Sequence, residues 1–451
     1  MASSPASIFL AQEARAMLTR LARVKPFALI MPSVPSASVS VAAQSAIESY
    51  LAEGRRELRG RLLRFLQWIG GPAGRTASPA DLQRRFTFLR LRFNVVLNHF
   101  NIFADVLAQR AEHETGVFCG GLDVLAGDAL ALPNVQLPED PPIICYLERD
   151  PGAAIRRART RLPGGGENPV AVIKIPRERM VSSGVASSLV HEVGHQGAAL
   201  LKLNESLRVA LQAKQRTASQ LDQLTWSMWE RWISEIVADL WSVSRVGIAS
   251  TLGLMGVVSL PKAFVFRVNV DDPHPPPWIR VRLSCAMGAA LYPHPQWERL
   301  SELWGSLYPL SESSDTQHGV FVMLERKKRE LIELMLDHRP ATLRGRSLRD
   351  VMQSTERQPV HLRRLYENWK GRPVAMRDNA PTLVFAAIGQ ARADGRLSPE
   401  RESETLAYLL TYWALRGTLD VAEVCATDFG VRQGWRHAPI HVPRSAAIAA
   451  V

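Results

Sequence analysis

The stretch Val185-Ala-Ser-Ser-Leu-Val190-His191-Glu192-Val193-Gly194-His195 decides the reading of this chain. An HExxH pattern arises by chance in a chain of this length with a probability on the order of one in a hundred, so its presence is informative. Ser182 or Ser183 can cap a helix that runs through the motif. On that helix His191 and His195 are four apart and project from one face. Two imidazoles on one face supply two ligands of a tetrahedral Zn2+, and Glu192 then lies beside the metal's open position. From there it can take a proton from water that the metal has acidified. The plainer alternative is a helix carrying two ordinary histidines.

A catalytic zinc needs a third protein ligand. Downstream, Leu221 to Trp241 reads as a helix, and it contains Trp232-Ile-Ser-Glu235-Ile-Val-Ala-Asp239. Glu235 and Asp239 share a face. Among Trp, Ile, Val and Leu an unpaired carboxylate is costly to bury, and a metal on Glu235 removes that cost. Asp239, one turn on, is placed to accept the spare N–H of a ligand histidine and fix its tautomer. The alternative for this pair is two surface acids facing solvent. Asp272-Pro-His274-Pro-Pro-Pro-Trp-Ile-Arg280 follows. Its prolines forbid a helix at His274, which is therefore presented, placed to donate to the oxyanion of a peptide carbonyl under attack. Arg280 can tie the loop to a carboxylate, Asp239 being one candidate. Upstream, Val170-Ala-Val-Ile-Lys-Ile175 reads as a strand between prolines. Val170, Val172 and Ile173 are expected to form an edge that aligns an extended peptide.

The ordered set of HEVGH, Glu235-x-x-Ala-Asp239 and His274-Pro-x-x-x-x-Arg280 resembles the gluzincin peptidases of the HtpX and CAAX prenyl protease type over about residues 143–290. The resemblance implies zinc ligands His191, His195 and Glu235, Glu192 as general base, and Asp239 behind a ligand. It places His274 and Arg280 in the active-site loop. Many such relatives are embedded in a membrane. This chain has no run of the roughly 18 apolar residues that a spanning helix needs.

The flanks fall outside the resemblance. Gln44 to Ile69 and Leu82 to Ala111 read as amphipathic helices, with Ser78 as a cap between them. Pro133 to Pro142 reads as a linker, Ala153 to Arg161 as helix-like, Gly164 to Gly166 as a turn, and Val246 to Leu260 as a core helix. Beyond about Gln296 the chain is again mostly helical. The expected architecture is α+β and predominantly helical. A zincin-like core at 141–295, a small sheet with an edge strand plus the two site helices, lies between helical regions 1–140 and 296–451.

Net charge is +12 over 451 residues, with 55 Lys and Arg against 43 Asp and Glu. Arginine dominates, which favours acidic or phosphate partners, although a GC-rich genome gives the same bias. Arg84, Arg85, Arg90 and Arg92 alternate with Phe86, Phe88 and Phe93; nucleic acid binding is one reading, a solvated basic helix face the other. Arg326 to Arg329 and Arg344 to Arg364 read as solvated faces. The four cysteines, Cys119, Cys145, Cys285 and Cys425, form no CxxC pair, which excludes a cysteine zinc ribbon and a disulfide-built fold. Pro32 breaks the only apolar run near the N-terminus, a poor signal peptide; a cytoplasmic, bacterial protein is expected, with a transit peptide the lesser reading. The functional expectation is a zinc-dependent endopeptidase acting on a protein or peptide. Its rival is a non-catalytic zinc-bound scaffold whose basic helical regions engage nucleic acid or an acidic partner.

Overall fold

The computed structural model describes residues 4–433 apart from 32, 134, 150, 151, 164, 178–181, 270 and 371. It is predominantly helical with one small sheet. Counting helices of eleven or more residues, the N-terminal part holds α1 (Pro5–Arg23), α2 (Val41–Gly70), α3 (Pro79–Ala108) and α4 (His113–Leu130). Ser4, Ser40 and Ser78 each cap the helix that follows them, as Ser and Asp side chains do for orphan N–H groups. The sheet comprises β1 (Ile143–Glu148), β2 (Ala154–Arg156) and β3 (Ala171–Pro176). Then come α5 (Ser183–Leu200), α6 (Leu203–Thr217), α7 (Gln220–Val246), α8 (Ile248–Val258), α9 (Pro277–Leu291), α10 (Gln296–Leu307), α11 (Asp315–Asp337), α12 (Pro359–Trp369), α13 (Pro381–Ala393) and α14 (Pro399–Gln433).

Two sequence expectations for the sheet are corrected. The strand order is β1-β3-β2, so the segment holding Val170, Val172 and Ile173 is no edge. β3 lies in the centre, parallel to β1 and antiparallel to β2. The two edges are β1, whose Cys145 and Leu147 backbone groups are bonded by the side chains of Gln109, Arg110 and Asp123, and β2, which arises from Ala153 to Arg161, the segment expected to be helix-like. Three residues paired to β3 override the helix preference of Ala and Arg, and Arg159 at φ 64° stops any helix from continuing.

One apolar core draws residues from 1–140, 141–295 and 296–451 alike. One apolar cluster runs from Cys119 and Leu122 on α4 through Ile173, Val193 and Trp241 to Phe385 and Trp413 on α13 and α14. Trp241 Nε1 donates to Ala129 O at 2.9 Å, and the N–H of Thr382 donates to Asp128 Oδ2 at 2.8 Å. A second small cluster joins α1 to the facing parts of α2 and α3. A third seats α2 and α3 on the sheet through Ile144, Val170 and Val172. Gly165 and Gly166 take φ 105° and 92°, the turn expected there; Gly164 lies outside the described residues. Cys119, Cys145 and Cys285 are buried free thiols, and the Cys425 side chain is outside the described set. Among the described residues no helix is long and apolar enough to cross a membrane.

Candidate metal centre

Ser182 caps α5 by accepting the N–H of Gly184, and the N–H of Ser183 donates to Glu402 Oε1 at 3.0 Å. The helix start is thus held partly by α14. The helix then crosses α7 at very short range. A Cβ on Gly194 would lie 3.0 Å from both Cα and O of Ala238, and one on Gly197 would strike the Trp241 ring. Only glycine permits this approach. It sets the face bearing His191 and His195 against the face bearing Glu235 and Asp239.

His191 Nε2 lies 3.3 Å from Glu235 Oε2, and His195 Nε2 lies 3.4 Å from Glu235 Oε1. One ligand atom from each of the three falls within 4.8 Å of the others. The imidazole planes are 87° apart with centroids at 4.9 Å, so the two rings converge from different directions. Tetrahedral ligands at about 2.0–2.1 Å from a metal are separated by about 3.4 Å, and each histidine lies about that far from one of the two Glu235 oxygens, His191 from Oε2 and His195 from Oε1. Glu235 Oε2 is buried without a hydrogen-bond partner among the described residues, although three nitrogens stand around it. A donor set of this kind is compatible with a metal ion.

Glu235 is 8% and Asp239 7% exposed, which removes the surface-acid alternative. Asp239 joins two partners. Its Oδ1 lies 2.8 Å from His191 Nδ1, and Arg280 donates to it bidentately, Nε to Oδ2 at 2.7 Å and Nη2 to Oδ1 at 2.9 Å. Such a forked pair fixes the carboxylate and, through it, the imidazole. Arg280 sits in the first turn of α9, immediately after the proline loop. His274, half exposed, is in that loop; its Nδ1 is 2.8 Å from Asp272 Oδ1 and its Nε2 3.3 Å from Glu235 Oε2. The structure therefore brings together all seven residues expected from HEVGH, the α7 segment and the proline loop.

Burial works against every charge here, and the partners decide the outcome. For His191 burial is outweighed by the charge and hydrogen bond of Asp239, which raise it to about 9. In His195 burial and then the His191 charge push the imidazole down to about 4. Burial would raise Glu235, yet the close approach of His191 and the charge of Arg280 hold it down to about 2. Asp239 is held well below the usual carboxylate range against its burial, by Arg280 first and then His191. Glu192 differs: burial raises its carboxyl above the ordinary value. It is the one acid in the group tuned towards holding a proton, a property suited to proton transfer.

Sequence reasoning missed the supports of this group. Ser234 Oγ stands 3.4 Å from His195 Nδ1 and accepts from Asn204 Nδ2 at 3.2 Å. Gln196 Oε1 accepts the N–H of Ala158 at 3.0 Å, which pins the chain after β2 to the HEVGH helix. Asp272 had a local signal, since a carboxylate two residues before His274 suits an Asx turn, and the N–H of His274 donates to it.

No protein-family model matches the chain, no curated protein matches it in sequence, and no solved structure matches it.

Proposed function

We propose that this protein is a zinc-dependent endopeptidase of the gluzincin type, with a zincin-like core formed by the sheet, α5 and α7. The observation that carries the reading is the convergence of His191, His195 and Glu235, one ligand atom of each within 4.8 Å of the others, with Glu192 on the helix that bears the two histidines. His191, His195 and Glu235 would hold the metal, and zinc so held supplies Lewis acidity, polarising a carbonyl and acidifying water. Glu192 accepts the proton of the attacking water and later gives it to the leaving amine. Asp239, fixed by Arg280, orients His191, while Ser234 does the same for His195. His274, with Nδ1 on Asp272 and Nε2 beside Glu235 Oε2, stands next to the ligand group, from where its ring can turn to donate to the oxygen that gains charge. An extended peptide is taken up on the open edge of β2, the strand tied to α5 through Gln196. Metal-loaded protein should cleave an unfolded protein substrate, and Glu192→Gln should keep the metal and lose the cleavage. Full activity of that variant would sink the mechanism.

One observation favours the rival binding role. Residues 1–108 hold 14 Lys and Arg against 6 Asp and Glu, so most of the net charge lies away from the metal centre. A basic lobe of this kind suits nucleic acid or an acidic partner. Its affinity for generic DNA would fall steeply between low and moderate salt, and no binding at low salt would remove the nucleic-acid version.

A further inference from the structure

We infer that the cavity beside β2 takes an acidic group of the substrate, with Arg157 as the residue that selects it. The inference rests on the peptidase reading for which bond is cut, but the binding preference it asserts does not require cleavage.

The cavity has a volume of about 680 Å³ and lies between α3 and the face of the sheet turned away from α5. Tyr146, Glu148, Val172 and Lys174 form the sheet side, and Arg156 and Arg157 form the end next to the open edge. Strand pairing sets the directions. Arg156 is opposite Val172, which faces the cavity, whereas Ile155 is opposite Ile173, which faces the core under α5. Arg157 follows directly after β2 and also lines the cavity. Its neighbour Ala158 is bonded to Gln196, the residue after His195.

The backbone at Arg157 is held firmly. Fully buried Asn168 donates through Nδ2 to the carbonyls of Arg156 and Arg157, at 3.1 and 3.2 Å, and Thr160 Oγ1 donates to the Arg157 carbonyl at 2.6 Å. A fixed backbone with a long cationic side chain presents charge at a defined place. Glu148, by contrast, is already engaged, by the Tyr146 hydroxyl at 3.3 Å and by Lys174 at 3.9 Å. Asp105 is exposed on the opposite, α3 wall. Among the described residues neither Arg156 nor Arg157 has an acidic partner within ion-pair distance. An open strand edge that ends on two guanidiniums without an acidic partner, the second one residue before Ala158 and its bond to Gln196, fits a peptide with a carboxylate close to the scissile bond. Guanidinium recognises that group bidentately.

The test uses zinc-loaded full chains of Glu192→Gln and of Glu192→Gln combined with Arg157→Gln. Fluorescent peptides that differ only in Glu against Gln, at each position of a degenerate heptapeptide, are titrated by anisotropy. The Glu peptides should bind about five- to tenfold tighter at one position, and Arg157→Gln should erase that difference. Arg157→Glu should reverse it towards Lys peptides. Equal binding of Glu and Gln peptides, or a preference that survives Arg157→Gln in a protein of unchanged circular dichroism and zinc content, overturns the inference. Cleavage by the Glu192 protein, measured separately on the same peptides, tests the peptidase reading independently.

Discussion

Gly194 offers a quantitative handle on the metal centre. A Cβ at this position would sit 3.0 Å from Cα and O of Ala238 and 2.9 Å from Cβ of Trp241, whereas ordinary contact begins at 3.4 Å. Two of these three atoms are backbone, so Gly194→Ala must part α5 from α7 by about 0.4 Å. The His191–Glu235 and His195–Glu235 separations of 3.3 and 3.4 Å would then grow to about 3.7–3.8 Å. Metal–ligand distances tolerate only about 0.2 Å, and a displaced ligand set costs about 10–100-fold in affinity. Overpacking costs about 1–3 kcal/mol, while Ala gains about 1 kcal/mol over Gly within a helix. The net loss of stability is thus about 0–2 kcal/mol, and the variant stays folded. Zinc competition against a chromophoric chelator, with thermal unfolding in EDTA alongside, separates the two effects. A zinc affinity within twofold of wild type in a folded Gly194→Ala protein would refute the claim that the helix approach sets the site.

Other consequences are direct. Glu235→Ala should remove or weaken the metal, and unchanged zinc stoichiometry would place the third ligand elsewhere. Arg280→Ala leaves Asp239 buried without its forked partner, so unfolding of the metal-free protein should come about 3–5 kcal/mol earlier, read by denaturant melts. Ser234→Ala should lower zinc affinity about tenfold without changing the fold, and Ser234→Thr should restore part of it. Glu325 is held below the ordinary carboxylate value, against its burial, by Arg282 and Lys328. Its stabilisation is present above the unfolded pKa and lost as pH falls through the folded one, so Glu325→Gln should destabilise at pH 7 and match wild type in strong acid.

The site was legible where its geometry is local. His191 with His195 and Glu235 with Asp239 are i, i+4 pairs whose shared faces follow from helix pitch alone, and the prolines around His274 force its presentation. What joins these pieces is not local. The β2–β3 pairing rests on three residues, too few to register as periodicity, and it converts an expected edge strand into a central one. Glu402 reaches the first turn of the HEVGH helix from 219 residues away. Nothing in either segment announces that contact. The core shared by α4, α13 and α14 with the HEVGH helix was equally hidden, because apolar contacts between segments so far apart in sequence form only in the folded chain. Gly194 and Gly197 stand in plain view inside a helix, yet their use is readable only once Ala238 and Trp241 are seen against them.

Comparison of cells making the wild-type chain with cells making Glu192→Gln, by mass spectrometry of protein termini, tests the central claim most directly. The account predicts zinc-dependent new termini in the wild type alone, with one zinc per chain bound by both proteins. Identical termini in the two, at equal zinc content, would contradict it.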